Sequence, residues 1–163
     1  MSAPFGALRS DSAEDTERVG AVLGEVLRPG DVLILEGALG AGKTCLARGI
    51  VGGAGGDSSA VRSPTFVLHQ PHRGRAITVH HIDLYRLGRG AGIDVLDLDG
   101  ALVDGAAVIE WGGRADLGAL HPCTVSISTV DDHSRHRILR LVQPAPVHLA
   151  GAWQGLLLSR VTR

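Results

Sequence analysis

Residues Gly37-Ala38-Leu39-Gly40-Ala41-Gly42-Lys43-Thr44 follow the pattern G-x-x-x-x-G-K-[ST], and no other stretch restricts the fold of this chain so tightly. An apolar run, Val32-Leu33-Ile34-Leu35, leads into it, and the helical spacing of Leu46, Ala47, Ile50 and Val51 leads out. Strand, glycine loop and helix in that order form the setting in which this pattern cradles phosphate. Glycines let backbone N–H groups curl around phosphate oxygens with no Cβ in the way. The helix beginning near Lys43 adds its positive end, which suits an anion. Lys43 is placed to reach the β and γ phosphates of a nucleotide, and the Thr44 hydroxyl to take a Mg²⁺ position. Leu39, Gly40, Ala41, Gly42, Lys43, Thr44 and Cys45 are therefore expected to line a nucleotide.

Sixteen residues are Lys or Arg, and Lys43 is the only lysine. Everywhere else a cation is wanted the chain uses arginine, whose planar fork is too bulky for the interior of such a loop. The one compact ammonium stands where the motif requires it.

With 163 residues, 44% of them hydrophobic, the chain reads as a single domain spanning residues 1–163 with room for a proper core. A formal charge of −1 gives no overall pull toward DNA, RNA or an anionic membrane. Cys45 and Cys123 are far apart in apolar surroundings and read as reduced packing residues. No apolar run approaches a membrane span, and Met1-Ser2-Ala3-Pro4 lacks a basic-then-hydrophobic signal, so a cytoplasmic protein is expected.

Residues 1–10 read as a loose or edge segment. Ser12 looks like an N-cap with Asp15 three residues on, and Val19, Val22, Leu23, Val26 and Leu27 make one apolar helical face. Arg28-Pro29-Gly30-Asp31 turns the chain into the strand ahead of the phosphate loop. The helix after that loop is expected to dissolve in Gly52-Gly53-Ala54-Gly55-Gly56, read as a flexible surface loop. A hairpin is expected next: a strand over 65–69, a turn over 71–75, and a return strand over 76–82 ending at Asp83. Residues 93–102 are acidic and helix-tending. Ala106-Ala107-Val108-Ile109 is continuously apolar, as a buried parallel strand should be, and stops at Glu110-Trp111. A late hairpin over 125–130 and 137–142 turns at Asp131-Asp132-His133-Ser134, and a closing helix follows Pro144 and Pro146. The fold expected is α/β: a three-layer P-loop NTPase fold with a mixed, mostly parallel central sheet and helices on both faces.

A phosphate loop needs an acidic partner at the C-terminal end of a neighbouring strand. Glu110 and Asp83 qualify. Glu110 is favoured for the Mg²⁺ shell or the attacking water, so Thr44 and Glu110 are the candidate metal ligands. Asp83 is the candidate supporting acid or base, and Lys43, Glu110 and Asp83 form the candidate catalytic set. Ser63 and Thr65 stand where hydroxyls often sense a γ-phosphate, although a Ser-Pro turn opening a strand reads equally well. His69, His72, His80, His81 and Asp83 invite a zinc reading, but adjacent His80 and His81 point to opposite strand faces and cannot easily share one ion. The chain has no asparagine, so an N-K-x-D guanine-reading motif cannot exist and adenine is favoured.

Four segments together, the phosphate loop, Ser63-Pro64-Thr65-Phe66, His81-Ile82-Asp83-Leu84-Tyr85-Arg86-Leu87 and Ile109-Glu110-Trp111, resemble the TsaE (formerly YjeE) family. This is the small ATPase family of bacterial tRNA threonylcarbamoyladenosine synthesis. The resemblance implies ATP and Mg²⁺ as cofactors and TsaB and TsaD homologues as partners, with tRNA met only indirectly through that complex. It further implies a switch-like role for Ser63-Pro64-Thr65, a place near the site for Asp83 and Trp111, and Thr16 close to the base. Ala38, Cys45 and Gly112 depart from the residues the family usually has there, namely Asp, Thr and Pro. Two other readings of the phosphate loop stay open: a small-molecule kinase, and a nucleotide-gated binding module without significant turnover.

Overall fold

The computed structural model describes residues 5–63, 68–87, 96–131, 135–142 and 144–161. Alternating apolar strands place a seven-stranded sheet at the centre, in the order β1-β7-β6-β2-β5-β4-β3. Its middle is parallel: β2 (Val32–Glu36) lies between β5 (Gly105–Glu110) and β6 (Cys123–Thr129), and β4 (Thr78–Asp83) lies beyond β5. The outer pairs are antiparallel, with β3 (His69–Arg73) on β4, β7 (Arg137–Val142) on β6, and β1 (Leu8–Ser10) on β7. The expected mixed α/β sheet is therefore present, and Leu8–Ser10 does form an edge strand.

Period-two alternation sends Leu33 and Leu35 of β2 to one face and Val32 and Ile34 to the other. The first face packs against α1 (Ala13–Val26), α2 (Lys43–Gly53) and α4 (Val147–Val161), with Leu23, Leu46, Ile50, Leu149 and Trp153 fully buried. The second is closed by α3 (Leu98–Ala101) and short 3₁₀ turns, through Leu98 and Leu117. The two faces are thus covered unequally, by long helices on one side and single turns on the other.

Ser12 caps α1 as expected, its hydroxyl accepting from Asp15 N–H at 3.0 Å. What the apolar pattern does not reveal is how closely α1 and α2 meet. Gly20 and Gly24 on α1 face Gly49 and Gly53 on α2, and a Cβ at these four would lie 2.4, 2.1, 2.1 and 2.0 Å from a carbonyl oxygen of the facing helix. Only glycine permits that approach.

Three expectations are corrected. Gly52 to Gly56 is a bonded turn and not a flexible loop: Gly56 N–H donates to Val51 O at 2.9 Å and Arg75 N–H to Ala54 O at 2.8 Å. The hairpin lies further along than expected, with β3 continuing through Pro71 to Arg73 and the turn closed by Gly74 N–H on Ile77 O. Pro71 is tolerated there because β3 is the sheet edge, with no strand on its outer side among the described residues. Over 93–102, α-helix is confined to Leu98–Ala101 among the described residues, capped by Asp97, while 93–95 lie outside them.

Candidate functional site

The parallel strands end on one side of the sheet, and the loop after β2 is the phosphate motif. Gly40 and Gly42 take left-handed conformations (φ 77° and 112°), and Gly42 caps α2 without a side chain. The first N–H groups of α2 therefore meet no capping side chain. A cleft of about 390 Å³ opens beside the loop, lined by Leu39, Gly40, Gly42, Lys43, Thr44, Cys45, Ser63, Asp83, Tyr85, Glu110 and Trp111.

Asp83 and Glu110 are the last residues of β4 and β5 and stand opposite each other in register. Both are buried, at 2% and 3% exposure. Thr44, from the first turn of α2, donates to Glu110 Oε1 at 2.9 Å and lies 3.2 Å from Oε2. Glu110 Oε1 also bonds His81 Nε2 at 2.8 Å. Asp83 is held differently: Oδ2 accepts from Ser63 Oγ at 3.0 Å and Oδ1 from Tyr85 N–H at 2.9 Å. The two acids thus do separate work, one aimed at Thr44 and the other at Ser63.

Lys43 folds back on its own loop, its Nζ donating to Gly37 O at 2.7 Å and Ala38 O at 2.9 Å. The Trp111 ring covers it, with Nζ 4.2 Å from the ring centroid. Burial draws the Lys43 ammonium below its ordinary pKa, and the charges of Glu110 and Asp83 oppose that. Ala38 contributes only its carbonyl to this arrangement, and an Ala provides that as well as an Asp. Trp111 is one of three non-glycine residues with positive φ among the described residues (60°), and Tyr85 packs on it at 5.0 Å between centroids.

Not every expected residue faces the cleft. Ala41 is buried, its N–H bonded to Ala38 O and its carbonyl accepting from Arg137 Nε at 2.8 Å. Thr16 lies within the first turn of α1, its hydroxyl bonded to Ser10 Oγ at 2.7 Å. It lines a second cavity of about 430 Å³ that shares Gly42 and Cys45 with the cleft. Thr65 lies outside the described residues. The Cys45 thiol, under Ala13 O at 3.3 Å, is pushed up to about 11 by burial and by Glu17. Sequence reasoning missed His81 as the partner of Glu110, Arg137 as the brace of the loop backbone, and Arg114, whose guanidinium lies 5.1 Å over the Tyr85 ring. For His81 the signal was present, since a residue two before Asp83 shares its face. Among the described residues no group of three or more His, Cys, Asp or Glu could hold a metal ion by itself. His80 turns to His69 instead, at 2.8 Å. No described helix is long and apolar enough to cross a membrane.

A glycine loop between a central parallel strand and its helix, with an acid ending the next strand against the loop's threonine, defines a phosphate-loop α/β protein. The family model described as threonylcarbamoyl adenosine biosynthesis protein TsaE matches residues 10–139, and the chain belongs to that family. Its relatives include the tRNA threonylcarbamoyladenosine biosynthesis protein TsaE of Mycobacterium leprae, 45% identical over 71% of this chain and 78% of that one. The protein of the same name from Treponema pallidum is 42% identical over 73% of this chain and 87% of its own. The crystal structure of the Bacillus protein YdiB shares the fold, with a TM-score of 0.64 at 24% identity over 99% of this chain and 100% of that one. The family serves tRNA threonylcarbamoyladenosine biosynthesis.

Proposed function

We propose that this chain binds ATP with Mg²⁺ in the cleft and hydrolyses it slowly when alone. Hydrolysis then supports threonylcarbamoyl transfer to adenosine 37 of tRNA, in the cytoplasm, together with TsaB and TsaD homologues. The observation that carries the reading is the meeting of Thr44 Oγ1 and Glu110 at 2.9 Å beside the glycine loop, with Asp83 in register next to Glu110. A hydroxyl and a carboxylate are hard oxygen donors, the set from which Mg²⁺ draws one or two ligands while keeping phosphate oxygens and water. The loop fits a phosphate too: a Cβ at Gly40 or Gly42 would meet nothing within 4 Å.

Bound Mg²⁺ supplies neutralisation of charge on the phosphate oxygens. Lys43 exchanges the carbonyls of Gly37 and Ala38 for phosphate oxygens, a small swing of a flexible stem. Thr44 and Glu110 hold the metal, and Asp83 supports them as second acid or base while fixing Ser63. The Ser63–Thr65 stretch is the candidate switch. An arginine supplied to the γ-phosphate is worth about 10³–10⁵ in rate, and a partner surface that brings one would complete this site.

Steady-state phosphate release with and without cognate TsaB–TsaD tests the reading, alongside capture by those partners apo, with ADP and with a non-hydrolysable ATP analogue. A low rate alone, a higher rate with partners and capture that depends on nucleotide are expected, since a γ-phosphate that orders the switch must by linkage favour the complex. A phosphorylated small-molecule acceptor instead of free phosphate would identify a kinase. Absence of turnover in every mixture would identify a nucleotide-gated module.

A further inference from the structure

We infer that His81 positions the Glu110 carboxylate for the metal side of the cleft, an inference that rests on the nucleotide reading above. In the parallel pairing of β4 with β5, His81 stands opposite Val108 and Asp83 opposite Glu110. Val108 belongs to the core under α1 and α2, so all four side chains occupy the helix-covered face. His81 is fully buried there, and its Nε2 lies 2.8 Å from Glu110 Oε1. Its Nδ1 is also buried and has no hydrogen-bond partner among the described residues.

That asymmetry sets the tautomer. With hydrogen on Nε2 the ring donates a charge-assisted bond to the carboxylate. With hydrogen on Nδ1 a bare nitrogen lone pair would face a carboxylate oxygen, and the N–H would be buried without an acceptor. The geometry therefore makes the ring a fixed donor to Oε1. Oε2 is left with Thr44 Oγ1 at 3.2 Å as its neighbour, free to turn to a metal shell. Without that anchor a glutamate at a strand end has three side-chain torsions to explore, and Oε2 loses its aim.

The neighbouring His80 provides the internal control. It lies on the opposite face and pairs with His69 at 2.8 Å, away from the acids. Two adjacent histidines thus have different work, and only one of them touches the site.

Partners that orient a metal ligand typically change metal affinity or activity by 10–100-fold when removed. The test uses the full chain saturated with ADP, with Mn²⁺ as a paramagnetic probe and free Mn²⁺ counted by electron paramagnetic resonance. His81→Leu is expected to raise the Mn²⁺ dissociation constant about 10- to 100-fold. ADP affinity measured in a chelator should stay within about twofold, since the carboxylate contact acts only through metal. His81→Gln, which returns an N–H near the Nε2 position, should recover most of the loss, and His80→Gln should leave Mn²⁺ binding unchanged. In ¹⁵N-labelled wild-type protein the His81 ring should carry hydrogen on Nε2. A cooperatively folded His81→Leu with wild-type Mn²⁺ affinity overturns the inference, as does an Nε2 found without hydrogen, which can be read on the wild-type protein even if the leucine variant does not fold. Metal-free ADP affinity falling in step with Mn²⁺ affinity in both variants would assign His81 a merely structural role and also overturn it. Wild-type protein whose Mn²⁺ binding is absent with ADP would remove the nucleotide–metal reading itself, which distinguishes that failure from this one.

Discussion

Gly49→Ala and Gly151→Ala make the same chemical change in two helices and should move stability in opposite directions. A Cβ at Gly49 would stand 2.1 Å from Glu17 O, where ordinary contact begins at 3.4 Å, so α1 must retreat by more than an ångström. That retreat loosens the buried row of Val19, Leu23, Leu46 and Ile50, and a gap of 0.5–1 Å already forfeits about a quarter to a half of each contact. Overpacking of this kind costs roughly 1–3 kcal/mol, and a clash with backbone belongs at the upper end. The better helix propensity of alanine offsets about 1 kcal/mol, leaving a net loss of about 2 kcal/mol. For a domain of this size that is a fall in Tm of roughly 4–8 °C. Gly151, in α4, is exposed and a Cβ there meets nothing within 4 Å, so only the propensity gain remains. Gly151→Ala should raise Tm by roughly 1–4 °C. Differential scanning calorimetry with guanidinium unfolding as the second probe measures both. Gly49→Ala melting at or above the wild-type temperature would refute the close-approach argument.

Further outcomes follow from the site. Lys43→Ala should lose most ATP affinity while keeping its melting temperature near wild type, and wild type should bind GTP clearly less well than ATP; equal calorimetric affinities for GTP and ATP would sink the adenine assignment. Glu110→Gln should keep nucleotide binding, show a weaker Mg²⁺ dependence and hydrolyse at least ~100-fold more slowly, with Asp83→Asn impaired less. A normal Glu110→Gln beside an inactive Asp83→Asn would reverse the roles given to the two acids. Burial, joined by a neighbouring imidazole for His69 and His72, holds the pKa of His69, His72 and His80 below the ordinary 6.5. The folded chain then binds fewer protons than the unfolded chain, so this contribution to stability is full above pH ~6.5 and is lost as pH falls through the folded values. Guanidinium midpoints at pH 7.5, 6.5 and 5.5 should decline in that order, and a flat series would count against it.

The centre of this molecule was legible because its signals are local and strong. The apolar runs at 32–35 and 106–109, the Ser12 cap and the glycine loop each carry their conformation in a few adjacent residues, and each stands where expected. Glu110 was readable as the acid beside Thr44 because a continuously apolar strand must end where its first charge appears. What escaped depends on partners distant in sequence. Gly49 and Gly53 look like helix breakers until α1 is laid across them, which is why the run from Gly52 read as a loose loop. Pro71 looks like a turn until its strand proves to be an edge. Arg137 braces Ala41 across 96 residues of chain, and no local pattern announces such a pair. Period two in β4 would have put His81 beside Asp83, had the two histidines been weighed for their contact with an acid and not for a metal.

The burial of Lys43 also bears on how this protein can be chemically marked. Lys43 is the only side-chain amine in the sequence, and it lies 5% exposed, covered by Trp111 and bonded to the loop it serves. Acetylation, carbamylation or an amine-directed cross-linker can reach a side chain at one address alone, and an adduct there would remove the ammonium that the loop needs. Read in the other direction, the same residue is an occupancy meter. The rate at which an amine reagent labels the Lys43 peptide should drop when an anion fills the cradle, so one mass measurement would report the state of the loop in a mixture of any complexity.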